Sequence, residues 1–405
     1  MRLKTEKLLK SLLYDNLLKS KQHILPIIIL SQFACTSTWF AGNAILESLT
    51  KKLDFGADII GYVLSSVQFG FIIGTLLFGV LMIADRFSPS RVFMLCAILA
   101  ALSNLFLILP DLSVFGLMLA RFSTGFFLAG IYPVGMKIAA DYYDKGLGKA
   151  LGFLVGALVL GTAFPFLIKG SSWGSHPNSV IKITSSITAI GGLLLFVLVP
   201  NGPYRVVSPS LKLDAGPKLF RNSEFRKAAF GYFGHMWELY AFWAFTPVAI
   251  FWFNRQTGSE ISVPLWTGII IALGGASCVF GGMISQKIGS KKVAMIALSV
   301  SGLFCVVSPL LLSSPTPIFL LGWCLWGIAV TADSPQFSNL VASSVTPQLK
   351  GTALTLVNCI GFSITIFSIQ LLGLLQSIIP IYLLFIPLAI GPILGVYNLM
   401  DKKIR

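Results

Sequence analysis

The sequence predicts an all-α integral membrane protein: twelve transmembrane helices in two pseudo-symmetric six-helix halves, with N- and C-termini cytoplasmic. Three observations carry this. Hydrophobic residues make up 55% of the 405 residues and charged residues only 11%, with a mean hydropathy of +0.84, whereas a soluble domain carries roughly 25% charge. The apolar residues gather in runs that accommodate the ~20 helical residues needed to cross a ~30 Å hydrocarbon core. The basic residues, finally, sit between the runs and alternate sharply in density along the chain.

Residues 1–23 come first, with Leu9, Leu12 and Leu13 at helical spacing opposite Lys4, Lys7 and Lys10. That pattern describes a basic amphipathic segment on an anionic membrane surface. The apolar run that follows, 24–46, is too long for the core of a cleavable signal peptide. The runs 59–83, 92–110, 113–140, 150–169, 180–200, 228–252, 264–285, 293–313, 317–342, 352–376 and 379–399 complete the set of spans. Each must be helical, because an unpaired backbone amide costs several kcal/mol in hydrocarbon.

With the N-terminus inside, 24 Lys and Arg fall on the cytoplasmic side and five outside, namely Lys51, Lys52, Lys169, Lys182 and Arg255. Arg121 alone stays within a span. This asymmetry orients a multi-pass protein of the cell (inner) membrane. It also reads the net charge of +15 as a topology signal, so no nucleic acid partner is expected. The stretch 201–227, with Pro203, Pro209, Pro217 and six basic residues, is the longest polar connection. It divides the chain into halves at 24–200 and 228–405.

The halves share a period. Asp85, Arg86 and Arg91 recur as Gln286, Lys287 and Lys292. Gly125 and Pro133 recur as Gly327 and Pro335, and Gly148, Ala150 and Leu151 recur as Gly351, Ala353 and Leu354. An ordered set at a nearly constant shift is the mark of a duplicated unit.

On these residues the chain resembles the major facilitator superfamily over nearly its whole length. The family signature after the second helix is Gly-x-x-x-Asp-Arg/Lys-x-Gly-x-Arg/Lys-Arg/Lys. The second copy, Gly282 to Lys292, matches it with Gln286 in place of the acid; the first keeps Asp85, Arg86 and Arg91 but has Leu81 and Ser88 in place of glycines. The fourth span carries Arg121-x-x-x-Gly125, similar to a motif of proton-coupled members. The fifth carries Gly152-x-x-x-Gly156-Ala157-x-x-Leu160-Gly161, a partial echo of the antiporter pattern without its proline. The resemblance implies a central cavity between helices 1, 4, 7 and 10. It also implies a gating latch built on Asp85, Arg86, Arg91, Gln286, Lys287 and Lys292.

Ionisable groups inside spans are expensive and mark function. Arg121 lies in the fourth span, His235 and Glu238 in the seventh and Asp333 in the tenth. Helical rise puts Arg121 and Glu238 ~15 Å deep and Asp333 ~24 Å from Pro317. Lys137 reads as an interfacial anchor. Gln32, Thr36, Trp39 and Asn43 follow one helical face, as do Arg121, Gly125, Leu128 and Tyr132, and His235 and Glu238 share a face. A cavity lined by these stripes would bind a small solute, with Arg121 favouring an anionic group. The structural alternatives are an Arg121–Glu238 pair across the halves, interhelical bonds for the polar stripe, a packing role for His235, and a brace for Asp333. Trp237, Tyr240 and Trp243 read as packing or interface anchors, with a substrate cage as the alternative.

The expected function is therefore that of a secondary active transporter of a small organic solute, proton-coupled and working by alternating access as a monomer in the lipid bilayer. Glu238, Asp333 and His235 are the groups that titrate. A sodium-coupled carrier, a uniporter and a transporter-like sensor are the alternatives. No nucleophile, base and orienting group occur at credible spacing, so the chain is not expected to be an enzyme. Cys35, Cys96, Cys278, Cys305, Cys324 and Cys359 all fall in apolar runs without metal-ligand spacing, and no cofactor or metal is expected.

Overall fold

The computed structural model describes residues 23–53, 59–143, 147–205 and 211–400. The amphipathic segment expected over 1–23 lies, apart from His23, outside the described residues. The helices run α1 (His23–Thr36), α2 (Ala41–Ala44), α3 (Leu46–Leu53), α4 (Ile59–Val80), α5 (Ile83–Arg86), α6 (Pro89–Leu105), α7 (Val114–Leu128), α8 (Tyr132–Tyr142), α9 (Leu147–Lys169) and α10 (Pro177–Leu198). They continue as α11 (Gly216–Arg221), α12 (Ser223–Thr257), α13 (Val263–Ile288), α14 (Ser290–Leu312), α15 (Thr316–Ala332), α16 (Ser334–Ser343), α17 (Lys350–Leu375) and α18 (Ile390–Leu399).

Ten stretches are long and apolar enough to cross a membrane, among them Val114–Tyr142 (α7 with α8) and Thr316–Ser343 (α15 with α16). Two expected spans fall outside that set, and each has a physical reason. The first is interrupted: α1 ends at Thr36, and the chain unwinds before α2. Thr36, Ser37 and Thr38 each turn a hydroxyl back onto a carbonyl of the preceding turn, those of Gln32, Ala34 and Cys35. Three consecutive hydroxyls compete with the helical ladder. The other, α12, runs for 35 residues, and His235, Glu238 and its tryptophans and tyrosines lower its hydropathy below that of the other spans. It also begins earlier than the expected 228, because Asn222 caps it by accepting from the amides of Glu224 and Phe225. At the far end Gly258, in the left-handed region at φ 70°, stops it.

Spans four and ten break at matching places. Pro133 is the second residue of α8 and Pro335 the second of α16. A proline has no amide to donate, and its ring crowds the carbonyl four residues back. The last span also departs from expectation. Regular α-helix starts only at Ile390, because Pro380 and Pro387 leave the preceding residues in 3₁₀ turns.

Close approach decides the packing. A Cβ on Gly70 would lie 2.0 Å from the Phe122 carbonyl and one on Gly125 1.9 Å from that of Val67, so α4 and α7 meet backbone to backbone. The glycine of Arg121-x-x-x-Gly125 is thus a contact device for α4. α9 and α13 touch at Gly156 and Gly275, and from Gly170 against Leu265 at one end to Gly152 near Cys278 toward the other. α4 meets α17 from Gly61 at Gln370, through Phe71 at Phe362, to Gly79 near Thr355. α6, α10, α14 and α18 instead expose apolar side chains such as Leu95, Val197, Leu310 and Ile393, which is the face a hydrocarbon solvent requires.

Candidate functional site

The break in span one creates acceptors that Arg121 fills. Without helical partners, the carbonyls of Thr38 and Trp39 accept from Arg121 Nη1, at 3.1 Å, and Nη2 respectively. The guanidinium is completely buried, and its planar fork suits two adjacent carbonyls. Gly42 makes room: a Cβ there would lie 3.0 Å from Arg121 Nε. That Nε has no hydrogen-bond partner among the described residues.

The second charge cluster joins α12 to α14 and α15. Glu238 Oε1 accepts from Trp326 Nε1 at 2.6 Å, from Cys305 Sγ at 3.3 Å and from Ser301 Oγ. Its Oε2 is buried without a hydrogen-bond partner among the described residues. Ser301 falls midway along α14, so Glu238 sits at mid-height of the bundle, where its rise along α12 also puts it. One turn earlier, His235 Nδ1 lies 2.9 Å from Asp333 Oδ1, and His235 Nε2 lies 3.0 Å from Ser334 Oγ. Asp333 and Ser334 form the junction of α15 and α16. Span seven therefore grips span ten twice, at the break and two turns before it.

The structure redraws the expected stripes. Arg121 and Glu238 do not meet; Arg121 takes the Thr38 and Trp39 carbonyls and Glu238 the donors of Ser301, Cys305 and Trp326, each with one buried polar atom left without a partner among the described residues. His235 and Glu238 share a helix but serve different partners. The first-span stripe does not form one face, because the helix ends inside it. A Cβ on Gly135 would strike Gln32 Oε1 and one on Gly161 would strike Thr36 Oγ1, so Gln32 faces α8 and Thr36 faces α9. Both polar atoms of Gln32, and Asn43 Oδ1, are buried without partners among the described residues. Tyr132 opens α8 at the break in span four and packs against the core.

Trp39 goes to a ring cluster that closes the middle of the bundle. Its ring lies 4.9 Å from Phe71, 5.9 Å from Tyr240 and 5.7 Å from Phe362. Phe40 and Trp243 extend it at 6.1 Å. The cluster draws on α4, α12, α17 and the unwound turn after α1. Trp237 packs outside it, donating to Pro387 O at 3.2 Å. With Trp39, Arg121, Glu238 and Asp333 all fully buried, the centre is shut from both ends.

At the end of the bundle that carries the 201–227 stretch, Asp85 pairs with Lys137 at 2.9 Å. Lys137 also lies 3.9 Å from Asp141, which corrects its reading as an interfacial anchor: α8 brings it inward onto α5. Arg86 and Arg91 line a surface cleft, while Gln286, Lys287 and Lys292 are exposed where α13 hands over to α14. Ser301, Trp326 and Gln68, the last buried on α4 with both side-chain polar atoms unpartnered among the described residues, are polar residues the sequence reading passed over, and Cys305 was read only for metal ligation. Trp326 carried a signal, being seven residues, two helical turns, before Asp333 and so on the same face.

A bundle of apolar helices with breaks near its middle and buried charges placed on those breaks is the architecture of a membrane transporter rather than an enzyme. The chain belongs to the major facilitator superfamily, whose family model matches residues 27–395. Its fold is similar to that of the proton:xylose symporter XylE, with a TM-score of 0.73 at 13% identity over 94% of this chain and 95% of that one. It is also similar to the nucleoside transporter NupG, TM-score 0.69 at 17% identity over 94% and 99%. The human organic anion transporter MFSD10 gives 0.68 at 15% identity over 94% and 99%. At such identity the likeness is one of fold. No curated protein matches the sequence.

Proposed function

We propose that this transporter carries a small organic solute by alternating access, coupled to protons, as a monomer of twelve spans with both termini and residues 201–227 on the cytoplasmic side of the cell (inner) membrane. The excess of basic residues at that end supports the orientation. The halves 24–200 and 228–405 are the rocking units, meeting along α9–α13 and α4–α17.

The observation that carries the proton-coupled reading is the double grip of span seven on span ten. Glu238 accepts three donors on one oxygen and none among the described residues on the other, so Oε2 is free to carry a proton without disturbing the network. Three residues away, the His235–Asp333 contact holds the break itself. A proton arriving at either group changes how firmly span ten is held, and Trp326 of span ten packs 4.6 Å from Phe242, which lies on α12 between the cluster residues Tyr240 and Trp243. Arg121, the buried Gln32, the half-buried Asn43, and the rings of Trp39 and Tyr240 are the solute-facing groups, with Arg121 Nε available to an anionic one. The Asp85–Lys137 pair, with Arg86, Arg91 and their counterparts Gln286, Lys287 and Lys292, belongs to the gating machinery at the cytoplasmic end.

Counterflow in proteoliposomes tests the transport reading. A thermal-shift screen against metabolites first supplies a ligand, which stabilises by mass action. Preloaded with that solute, the wild type is expected to exchange label across the membrane. Binding without exchange would assign the chain to solute sensing instead.

A further inference from the structure

A second polar site lies on the surface of the first half, remote from Arg121. A cleft of about 430 Å³ opens between the start of α6 and the end of α10, lined by Arg86, Phe87, Arg91, Phe196, Asn201 and Arg205 among others. Its size falls in the range of small-ligand pockets. Its walls are fixed by hydrogen bonds: Ser88 Oγ to Asn201 Oδ1 at 2.9 Å, and Ser90 Oγ to the Val199 carbonyl at 2.6 Å. Arg205 Nη2 bonds the Asp85 and Phe87 carbonyls at 3.0 and 2.8 Å.

The charge balance is positive. The nearby carboxylates, Asp85 and Asp141, both lie within reach of Lys137. Arg205 Nη2 serves neutral carbonyls rather than a carboxylate. Arg86 and Arg91 are exposed, and nothing among the described residues holds their guanidinium groups. Arg86, Arg91, Arg205 and Lys137 against Asp85 and Asp141 leave an excess of two positive charges around the cleft, and an arginine fork recognises phosphate oxygens two at a time.

The surroundings say which phosphate. Phe87 and Phe196 on the rim are both exposed, and below the cleft the exposed residues are apolar: Leu95 and Leu99 on α6, Ile190, Leu193 and Val197 on α10. The two helices meet where Gly192 faces Ala97; Leu193 borders that seam, and Leu95, Leu99, Ile190 and Val197 carry the apolar surface round the outer faces of the two helices. The cleft thus sits where that seam leaves the hydrocarbon. A soluble anion has no use for the apolar face, and an acyl chain does.

We propose that this cleft holds the phosphate of an anionic phospholipid, with Arg86 and Arg91 on its oxygens and the acyl chains along the α6–α10 seam. The test takes the full-length protein from vesicles of equal parts phosphatidylglycerol and phosphatidylcholine and counts retained lipids by native mass spectrometry. Wild type is expected to retain phosphatidylglycerol preferentially, and Arg86→Gln/Arg91→Gln to lower that preference about tenfold, as two arginines near a membrane surface allow. Lys218→Gln/Arg221→Gln, on α11 at the same end, should leave it unchanged. Inorganic phosphate alone should not raise the unfolding midpoint of wild type.

Equal retention by the Arg86/Arg91 variant would overturn the proposal, as would equal loss by the α11 control. Stabilisation by inorganic phosphate equal to that by phosphatidylglycerol would assign the cleft to a soluble anion. Should the glutamine variant misfold, phenylglyoxal modification of the wild type decides the matter. Vesicles containing phosphatidylglycerol must protect Arg86 and Arg91 and phosphatidylcholine vesicles must not; equal modification in both refutes the site.

Discussion

Glu238→Gln is expected to abolish solute accumulation driven by a pH gradient while leaving counterflow within about twofold of wild type, a change too small to reflect lost transition-state contacts. The substitution is nearly isosteric. Its amide oxygen can still accept from Ser301, Trp326 and Cys305, the donors now on Oε1. Its amide nitrogen occupies the place of Oε2, which has no partner among the described residues to lose. What disappears is only the ability to take up and release a proton. Uptake with an imposed pH gradient and counterflow, run side by side on the same proteoliposomes, check this. Undiminished accumulation would transfer coupling to the His235–Asp333 contact, and loss of both activities would make Glu238 a structural tie between α12, α14 and α15.

Arg121→Leu is expected to cost about 2 kcal/mol of stability, because two buried carbonyls lose their donors. It should also weaken solute binding more than tenfold, the scale of one charge-assisted hydrogen bond lost in a buried site. The carbonyls of Thr38 and Trp39 belong to the unwound turn after α1, and that turn carries Trp39 into the central rings. Losing the guanidinium therefore frees the ring cluster as well as the backbone. Arg121→Lys should recover part of the stability, since an ammonium keeps the charge without the fork. Unfolding midpoints in detergent and ligand titration on the same samples separate the two roles. A lower midpoint with unchanged affinity would reduce Arg121 to a cap on the broken helix.

The sequence exposed the spans and the identity of the buried charges, but not their partners. Apolar runs report where hydrocarbon is, so α4, α6, α9, α10, α13 and α14 fall where the runs predict. Breaks follow local chemistry that hydropathy does not see. Pro133 and Pro335 were visible as a repeated pair, yet their consequence, a helix junction placing Asp333 beside His235, requires the tertiary contact. Thr36 was legible as part of a polar stripe with Gln32, Trp39 and Asn43, and that reading overlooked Ser37 and Thr38, whose hydroxyls with that of Thr36 compete with the helical ladder. Arg121 and Glu238, at similar depth, invited pairing across the halves. Depth fixes one coordinate only, and rotation about each helix sent Arg121 to the span-one carbonyls and Glu238 to α14 and α15. Ser301 and Cys305 look like ordinary span residues, since a single polar atom on a small side chain leaves no periodic trace, and Trp326 was marked only by its two-turn spacing from Asp333.

The central claim is that two halves rock about a closed centre under control of the charges on span seven. Interspin distances by double electron–electron resonance test it most directly. One label pair, Lys149→Cys with Lys350→Cys, spans the halves at the end carrying residues 201–227; the other, Ser172→Cys with Ser313→Cys, spans them at the opposite end. The account predicts reciprocal change on shifting pH or adding solute, one pair lengthening as the other shortens, with the pH response lost in Glu238→Gln. Both pairs lengthening together, or neither moving under any condition, would contradict it.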